Sequence, residues 1–461
     1  MILEFKTKNY KSFMDEAVFS MTAAPKQKGL DYSLLNKKIR GKNVKGLSSS
    51  VIYGPNASGK TNIIGAMDTF RSIVLRGNIR NSEEQSTPNQ ASSNLELIPN
   101  NGAKCSEPVI FSIEFIEKDL LVHYEIRLDL GCFLDSEYKR KVLREELYVD
   151  GAMVFVRDDK LSMGDFRGIS RGADRFSLLS LIGSKEDLSL ISKNSLNDEE
   201  LFLTNGFKLI YSQSLVKLIT DWFTNKFMVI YRADSLQIIK RFVDPQKQTI
   251  YVDSITDKAV KLFGINSNVL GYVISDDEND ARLVSMFENV QGKKNAIVSA
   301  EIFESYGTIR FINLFPLIRK AILTGGTLVV DEFDASIHPM VLMSIINVFH
   351  NDEINFNGAQ LIFNTHNPIF LNSNLFRRDE IKFIERDDNK NTSVLYSLSD
   401  FGTTGEKGVR KHEDYMKNYF ISQYGAIRDI DLTPIFEELI SKEREVKDGN
   451  SKADEKILLQ R

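Results

Sequence analysis

Short apolar runs and alternating segments dominate the first third of the chain, and helical spacing takes over later. Ile2 and Phe5, then Val18, Phe19 and Met21, mark short strands. Val51-Ile52-Tyr53 is an apolar strand that runs into a Gly-, Pro- and Asn-containing loop, and the spacing then predicts a helix over 62–75. Residues 78–108 are rich in Asn, Ser, Gln and Pro and read as a surface excursion. From 109 to 160 the apolar positions alternate: Val109–Phe115, His123–Leu128, Glu146–Val149 and Met153–Val156 predict an antiparallel sheet, with Asp150-Gly151 as a hairpin turn. From about 175 to 300 the spacing is mostly helical, through Leu201, Leu203, Phe207 and Leu209 and then Leu215 to Phe223. A strand at 227–231 interrupts it, and Ser275–Asp280 is a polar loop. A helix over 308–323 and strands at 327–331 and 360–364 follow, and the chain shows no internal repeat. From Ser441 onward the charge is dense, as in a frayed or partner-dependent helix.

A chain of 461 residues has room for two or three subdomains around a large core. A net charge of −4 does not advertise nucleic-acid binding, although a local basic face stays open. Cys105 and Cys132 show neither metal-ligand spacing nor a disulfide framework, so two separate thiols are expected. The five histidines are scattered, and no zinc site is expected. Charges interrupt the opening Met1–Lys8, unlike a signal peptide, and no apolar run reaches membrane-spanning length. A soluble chain in a reducing cytoplasm, with no membrane partner, is the expectation.

The chemistry begins where the Val51–Tyr53 strand ends. Gly54-Pro55-Asn56-Ala57-Ser58-Gly59-Lys60-Thr61 completes the pattern G-x-x-x-x-G-K-[ST]. Backbone N–H groups of such a loop cradle a polyphosphate at the positive end of the following helix. Lys60 reaches the β- and γ-phosphates, and Thr61 offers its hydroxyl to Mg2+. Chance would produce the pattern in roughly one or two per cent of chains this long, and the flanking strand and helix lower that. Gly326–Glu332 is a second element, an apolar strand ending in Asp331 and Glu332. Ligands sit at the carboxyl ends of parallel strands. Asp331 then holds Mg2+ through water, and Glu332 orients or deprotonates the attacking water. Gly54 and Asp331 stand 277 residues apart (331 − 54), so a large segment is inserted between the halves of the nucleotide core.

Several segments together resemble ABC-type ATPases of the SMC and RecF branch, and within it the bacterial AAA15 group (RloA- and AbiLi-like) of abortive-infection loci. They are Leu3–Phe13, Val51–Thr61 with Asn56 and Ser58 in place, and Glu304-Ser305-Tyr306-Gly307-Thr308 as a divergent ABC signature. Asp331–Pro339 resembles Walker B running into the D-loop, Phe363–Pro368 the switch-histidine segment, and Lys417–Ile427 a tail typical of the group. Tyr306 and Thr308 replace the glycine and glutamine of the LSGGQ signature, and Gln85 and Gln90 are Q-loop candidates by location only. Ile384–Asp388 is similar to the acidic cluster of Toprim nucleases but lacks its glycine, so no nuclease is expected in this chain.

The resemblance implies an α/β fold: an ABC/SMC-type P-loop ATPase head, with a RecA-like core, an N-terminal antiparallel β-subdomain and a largely helical insertion. The expected division is 1–160 (N-terminal lobe), 161–300 (helical insertion), 301–400 (C-terminal lobe) and 401–461 (tail). It implies a homo-oligomer of head-to-tail dimers that sandwich ATP, with Ser305 and Gly307 of one chain closing on the γ-phosphate held by Lys60 of the other, and His366 sensing that phosphate. Lys11 contacts phosphate or ribose, or is a solvated surface lysine. His338 lines the dimer seam or caps a turn before Pro339. Arg410 and Lys411 read as ordinary surface. The implied function is an ATP-hydrolysing switch that senses or regulates a separate effector, a nuclease or toxin, in anti-phage defence. Two alternatives stand beside it: a DNA-repair or chromosome-maintenance ATPase that grips nucleic acid, and an ATP-gated scaffold with little turnover.

Overall fold

The computed structural model describes residues 1–461 apart from 26, 28, 82–94, 106, 136, 165–196, 232–248, 263–268, 275–280, 288–295, 388, 403–407, 411–412, 429 and 444–461. In chain order its strands are β1 (Ile2–Lys8), β2 (Ala17–Ser20), β3 (Leu34–Ile39), β4 (Lys42–Leu47), β5 (Ser49–Tyr53), β6 (Val109–Glu117), β7 (Leu120–Asp129), β8 (Lys141–Val149), β9 (Ala152–Arg157), β10 (Leu161–Met163), β11 (Phe227–Ile230), β12 (Thr249–Tyr251), β13 (Val269–Ile274), β14 (Ala281–Phe287), β15 (Ala296–Ser299), β16 (Thr327–Val330), β17 (Gln360–Asn364), β18 (Ile381–Asp387) and β19 (Thr392–Ser397). The principal helices are α1 (Lys60–Arg76), α2 (Gln213–Asn225), α3 (Ser254–Lys261), α4 (Tyr306–Thr324), α5 (Pro339–His350) and α6 (Tyr415–Phe420).

The nucleotide core is a six-stranded sheet in the order β11-β16-β17-β5-β18-β19. Every neighbouring pair is parallel except β18 with β19. Its central strands read as continuous apolar or small runs because both faces are covered. Alternation sorts those side chains. Ile52, Val329 and Ile362 face α1, α2 and the antiparallel sheet; Val51, Tyr53, Leu328, Val330, Leu361 and Phe363 face α4 and α5. The strand from near the N-terminus, β5, lies between β17 and β18 from the far end of the chain, so both ends build one core. Residues Met1–Ala426 form one compact unit. In the second unit, Ile427–Arg461, residues 433–443 are helical.

The expected antiparallel sheet is present as seven strands, β10-β9-β8-β7-β6-β1-β2. Its inner face supplies Phe111, Ile113, Val122, Tyr124, Ile126 and Leu147 to the core, against Phe70 of α1 and Trp222 and Phe223 of α2. The Trp222 and Phe115 rings stack with centroids 3.8 Å apart.

Two expectations change. The region 161–300 carries helices where the spacing placed them (α2, and α3 further on), but residues 249–299 also contain a four-stranded antiparallel sheet, β12-β13-β14-β15. Its strands are short, and a short apolar run looks alike in helix and strand. The polar loop at 275–280 falls outside the described residues, between the paired β13 and β14.

The two cysteines are not separate thiols. Cys105 and Cys132 form a disulfide, with Cα atoms 4.4 Å apart. The β6–β7 register explains it. Val109 pairs with Leu128, and each cysteine lies four residues beyond that pair, so the hairpin brings the two together. The bond removes the cysteine argument for a reducing compartment. No described helix is long and apolar enough to cross a membrane.

Candidate nucleotide-binding site

Three adjacent parallel strands deliver the site. β16 ends at Val330, paired with Phe363 of β17, which pairs in turn with Val51 of β5. The residues after these strands therefore lie side by side: Asp331, then Asn364 to His366, then the 54–61 loop. This is where ligands sit on such sheets.

The loop turns sharply into α1, with Ala57 at φ 62° and Gly59 at φ 109°. A Cβ at residue 59 would also lie 2.6 Å from Ser12 Oγ and 2.7 Å from Ser393 Oγ, so only glycine fits there. Ser393 Oγ donates to the Ser58 carbonyl at 2.6 Å, Asn62 donates to Ser12 Oγ at 2.8 Å, and Arg386 donates to the Ala57 carbonyl at 3.2 Å. Ser12, Ser393 and Arg386 thus brace the loop. Nothing in their sequence context signals this, because they come from segments far from it.

Lys60 is buried, and its ammonium donates to the carbonyls of Gly54 (2.7 Å) and Pro55 (2.9 Å). Burial pulls it down to about 8, against the opposing influence of Asp331, Glu332 and Asp334. Thr61 Oγ1 donates to Asp331 Oδ1 at 3.2 Å. Asn364 Nδ2 donates to the same oxygen at 2.6 Å, and Asn364 Oδ1 accepts from the Glu332 N–H. Arg310 of α4 reaches the Glu332 carbonyl. Glu332 sits at φ 50°, a left-handed conformation costly for a residue with a Cβ. Asn364 and Arg310 hold it there, so that the exposed side chain leaves the strand direction beside Asp331. Asn364 lies within the segment quoted for the switch histidine, but its bridging role depends on strand order, which the sequence does not display.

His366 follows β17. Partial burial of its ring and the nearby Lys60 hold the imidazole below its ordinary value, against Asp334 and Asp331. Its electrostatic coupling to Lys60, Asp331 and Asp334 places it in the same group of charges.

The remaining sequence candidates fall as follows. Pro55 and Asn56 lie in the loop itself. The ammonium of Lys11 is taken by Glu96 and by Tyr231 Oη at 3.0 Å, and the neighbouring Ser12 touches the loop through Asn62. Ser305 caps α4, accepting from the Thr308 N–H at 3.1 Å, and is exposed. Gly307 packs on the turn after Glu332 of its own chain, where a Cβ would lie 2.2 Å from the Ser336 carbonyl oxygen. His338 caps α5, its Nδ1 accepting from Met340 N–H at 3.2 Å. Gln85, Gln90 and Lys411 lie outside the described residues. Glu385 is exposed on β18, and Asp388 of the same acidic segment is outside the described residues.

The residues fit a Mg2+–triphosphate. The amides of Lys60 and Thr61, at the start of α1, have no backbone partner among the described residues. Ser58 Oγ is buried with no hydrogen-bond partner among the described residues. Among the described residues the Lys60 ammonium is held by loop carbonyls, and a hydroxyl and a carboxylate, Thr61 and Asp331, stand together beside it.

A family model described as "AAA domain, putative AbiEii toxin, Type IV TA system" matches residues 49–372, which span the loop, Asp331–Glu332 and His366. The chain belongs to this AAA family. The AAA domain therefore contains every residue of the site described above except the bracing Ser12, Arg386 and Ser393. Among solved structures, the "SMC head domain from Thermotoga maritima" is similar at 13% identity and a TM-score of 0.32, over 86% of this chain and 98% of that one. No curated protein matches the sequence.

Proposed function

We propose that this AAA/ABC-type ATPase domain binds and hydrolyses ATP with Mg2+, and passes its nucleotide state to a separate effector of the nuclease or toxin class in bacterial anti-phage defence. One observation carries the chemistry: Thr61, Asp331, Asn364 and Glu332 converge at the ends of adjacent parallel strands beside a buried lysine. The toxin and toxin–antitoxin wording of the family description supports the defence setting.

In this reading the 54–61 loop and the start of α1 bind the phosphates through backbone amides. Lys60 exchanges its two carbonyl partners for phosphate oxygens. Thr61 and Asp331 would hold Mg2+, which when bound neutralises phosphate charge. Asn364 keeps Asp331 oriented, as partners behind a ligand do. Glu332 accepts a proton from the attacking water. His366, neutral at physiological pH, faces the end of the phosphate chain. Ser305 and Gly307 act on a second chain's nucleotide. Exposed Ile302, Phe303 and Tyr306 beside Ser305 support such a contact.

Titrating Mg·ATP into the intact chain tests this. Wild type takes up one nucleotide per chain, and Lys60→Ala loses binding by at least about 100-fold. Unaltered binding by Lys60→Ala would sink the reading. Turnover that rises on adding DNA and falls steeply with salt would move the chain to the DNA-maintenance alternative instead.

A further inference from the structure

The outer face of the seven-stranded sheet carries a polar constellation that shares no residue with the nucleotide site. Val122, Tyr124, Ile126 and Leu128 point into the core, so His123, Glu125 and Arg127 of β7 point out. On β8, Leu147 and Val149 point in, and Glu146 and Tyr148 point out. The register sets Glu125 directly opposite Glu146, and Arg127 directly opposite Arg144. Glu114 of β6 stands opposite His123. Like charges directly opposite each other destabilise a strand pair, so some cation is expected between the two glutamates.

The arginines answer this only in part. Arg127 Nε donates to Glu125 Oε1 at 2.8 Å, and Arg144 Nε donates to Glu146 Oε2 at 2.9 Å. Each guanidinium approaches from two residues along its own strand and occupies one oxygen of its carboxylate. Glu146 gives only Oε2 to Arg144; its Oε1 makes no hydrogen bond among the described residues and stays open to a ligand from solvent. His123 likewise makes no side-chain hydrogen bond there; its ring meets Tyr148 edge-on at 6.0 Å. One donor atom from each of His123, Glu125 and Glu146 lies within 4.8 Å of the other two. With Glu114 and Glu4, four carboxylates face Arg127, Arg144 and Lys6, and Arg144 is shared with Asp158, so the patch retains negative charge.

We propose that His123, Glu125 and Glu146 form a binding site for a divalent transition-metal cation of the zinc type, pinning β7 to β8. One imidazole nitrogen and two carboxylate oxygens are an ordinary zinc donor set, with water completing the tetrahedron. Tetrahedral ligands at about 2.1 Å stand roughly 3.4 Å apart. The donors therefore close up by at most about 1.4 Å on binding, within reach of side-chain torsions on a solvated face. Arg127 and Arg144 play the orienting part, each fixing the oxygen that the metal does not take. Scattered histidines hid this site from the sequence, because His123 and Glu146 meet only through strand register.

The test is zinc uptake by the full chain, followed by calorimetry and by melting temperature, with nucleotide omitted. Wild type should bind one zinc more per chain than His123→Ala, and its melting temperature should rise with zinc and return with EDTA. His123→Ala should melt like EDTA-treated wild type and gain less from zinc. The double variant Glu125→Gln/Glu146→Gln, which keeps the facing Arg127 and Arg144, should also bind one zinc fewer and gain less in melting temperature from zinc than wild type. Equal zinc uptake by wild type and His123→Ala would overturn the proposal. So would a double variant that keeps the full zinc-dependent rise in melting temperature. Neither readout depends on ATP, so failure here leaves the nucleotide site untouched.

Discussion

Lys60 and Asn364 show how single side chains set the chemistry. Lys60 sits in a pocket that disfavours its charge, held at about 8 by burial. Its folded value lies below the unfolded one, so the native chain binds fewer protons than the unfolded chain between about 8 and 10.5. Stability contributed through this group is therefore lowest below about 8 and recovers as pH rises through that window. Nucleotide binding needs the charged form and runs the other way. ATP affinity measured by calorimetry should hold below about pH 8 and then weaken towards tenfold per pH unit above it. A flat profile to pH 9.5 would show that the lysine charge is not used. Asn364 offers an amide to Asp331 and a carbonyl to the Glu332 N–H, and no other side chain of its shape supplies both. Asn364→Asp sets a second buried carboxylate against Asp331, and should lower the melting temperature in the absence of Mg2+ and cut Mg2+-dependent turnover about 10–100-fold. Wild-type turnover in that variant would remove Asn364 from the site.

Among the elements, the β6–β7 hairpin and its flanks tie together the sheet that backs α1. The Cys105–Cys132 bond closes a loop of 27 residues. In the chain-entropy view such closure contributes on the order of 3 kcal/mol by restricting the unfolded chain. Cys105→Ser should therefore lower unfolding stability by up to about that amount relative to oxidised wild type, with the two indistinguishable under strong reductant. Denaturant melts with and without dithiothreitol check this. A variant as stable as oxidised wild type would show that the hairpin register alone holds these ends. Helix α4 plays a second role. Arg310 on its first turns grips the Glu332 carbonyl, and Gly307 at its start rests on Ser336, so segments 304–308 and 331–336 are mechanically joined within one chain.

For the molecule as a whole, that junction matters because Ser305 and its apolar neighbours Ile302, Phe303 and Tyr306 face solvent. A second chain that covers them would press on the Asp331–Ser336 turn and so on Glu332. Removing the proton-accepting carboxylate should then let ATP hold two chains together. Glu332→Gln with Mg·ATP is expected to elute at twice the mass of the nucleotide-free chain, and to return to the lower mass when ATP is withdrawn. A single elution position in both conditions would leave the ATP-dependent pairing without support.

The local patterns were readable along the chain because they are local. Gly54–Thr61 and Asp331–Glu332 are contiguous, the flanking strands alternate or run apolar, and α1 and α4 appear within two residues of their predicted positions at most ends. Backbone sterics and side-chain period act over a few residues, so a linear reading captures them. What the linear order could not convey is adjacency across strands. Asn364 bridging Asp331 and Glu332, Ser12 and Ser393 against Gly59, Lys11 claimed by Glu96 and Tyr231, the cysteine bond, and His123 beside Glu146 all depend on which strands are neighbours and in what register. Those pairings arise only when the whole apolar core is buried at once, and that burial is a property of the folded chain.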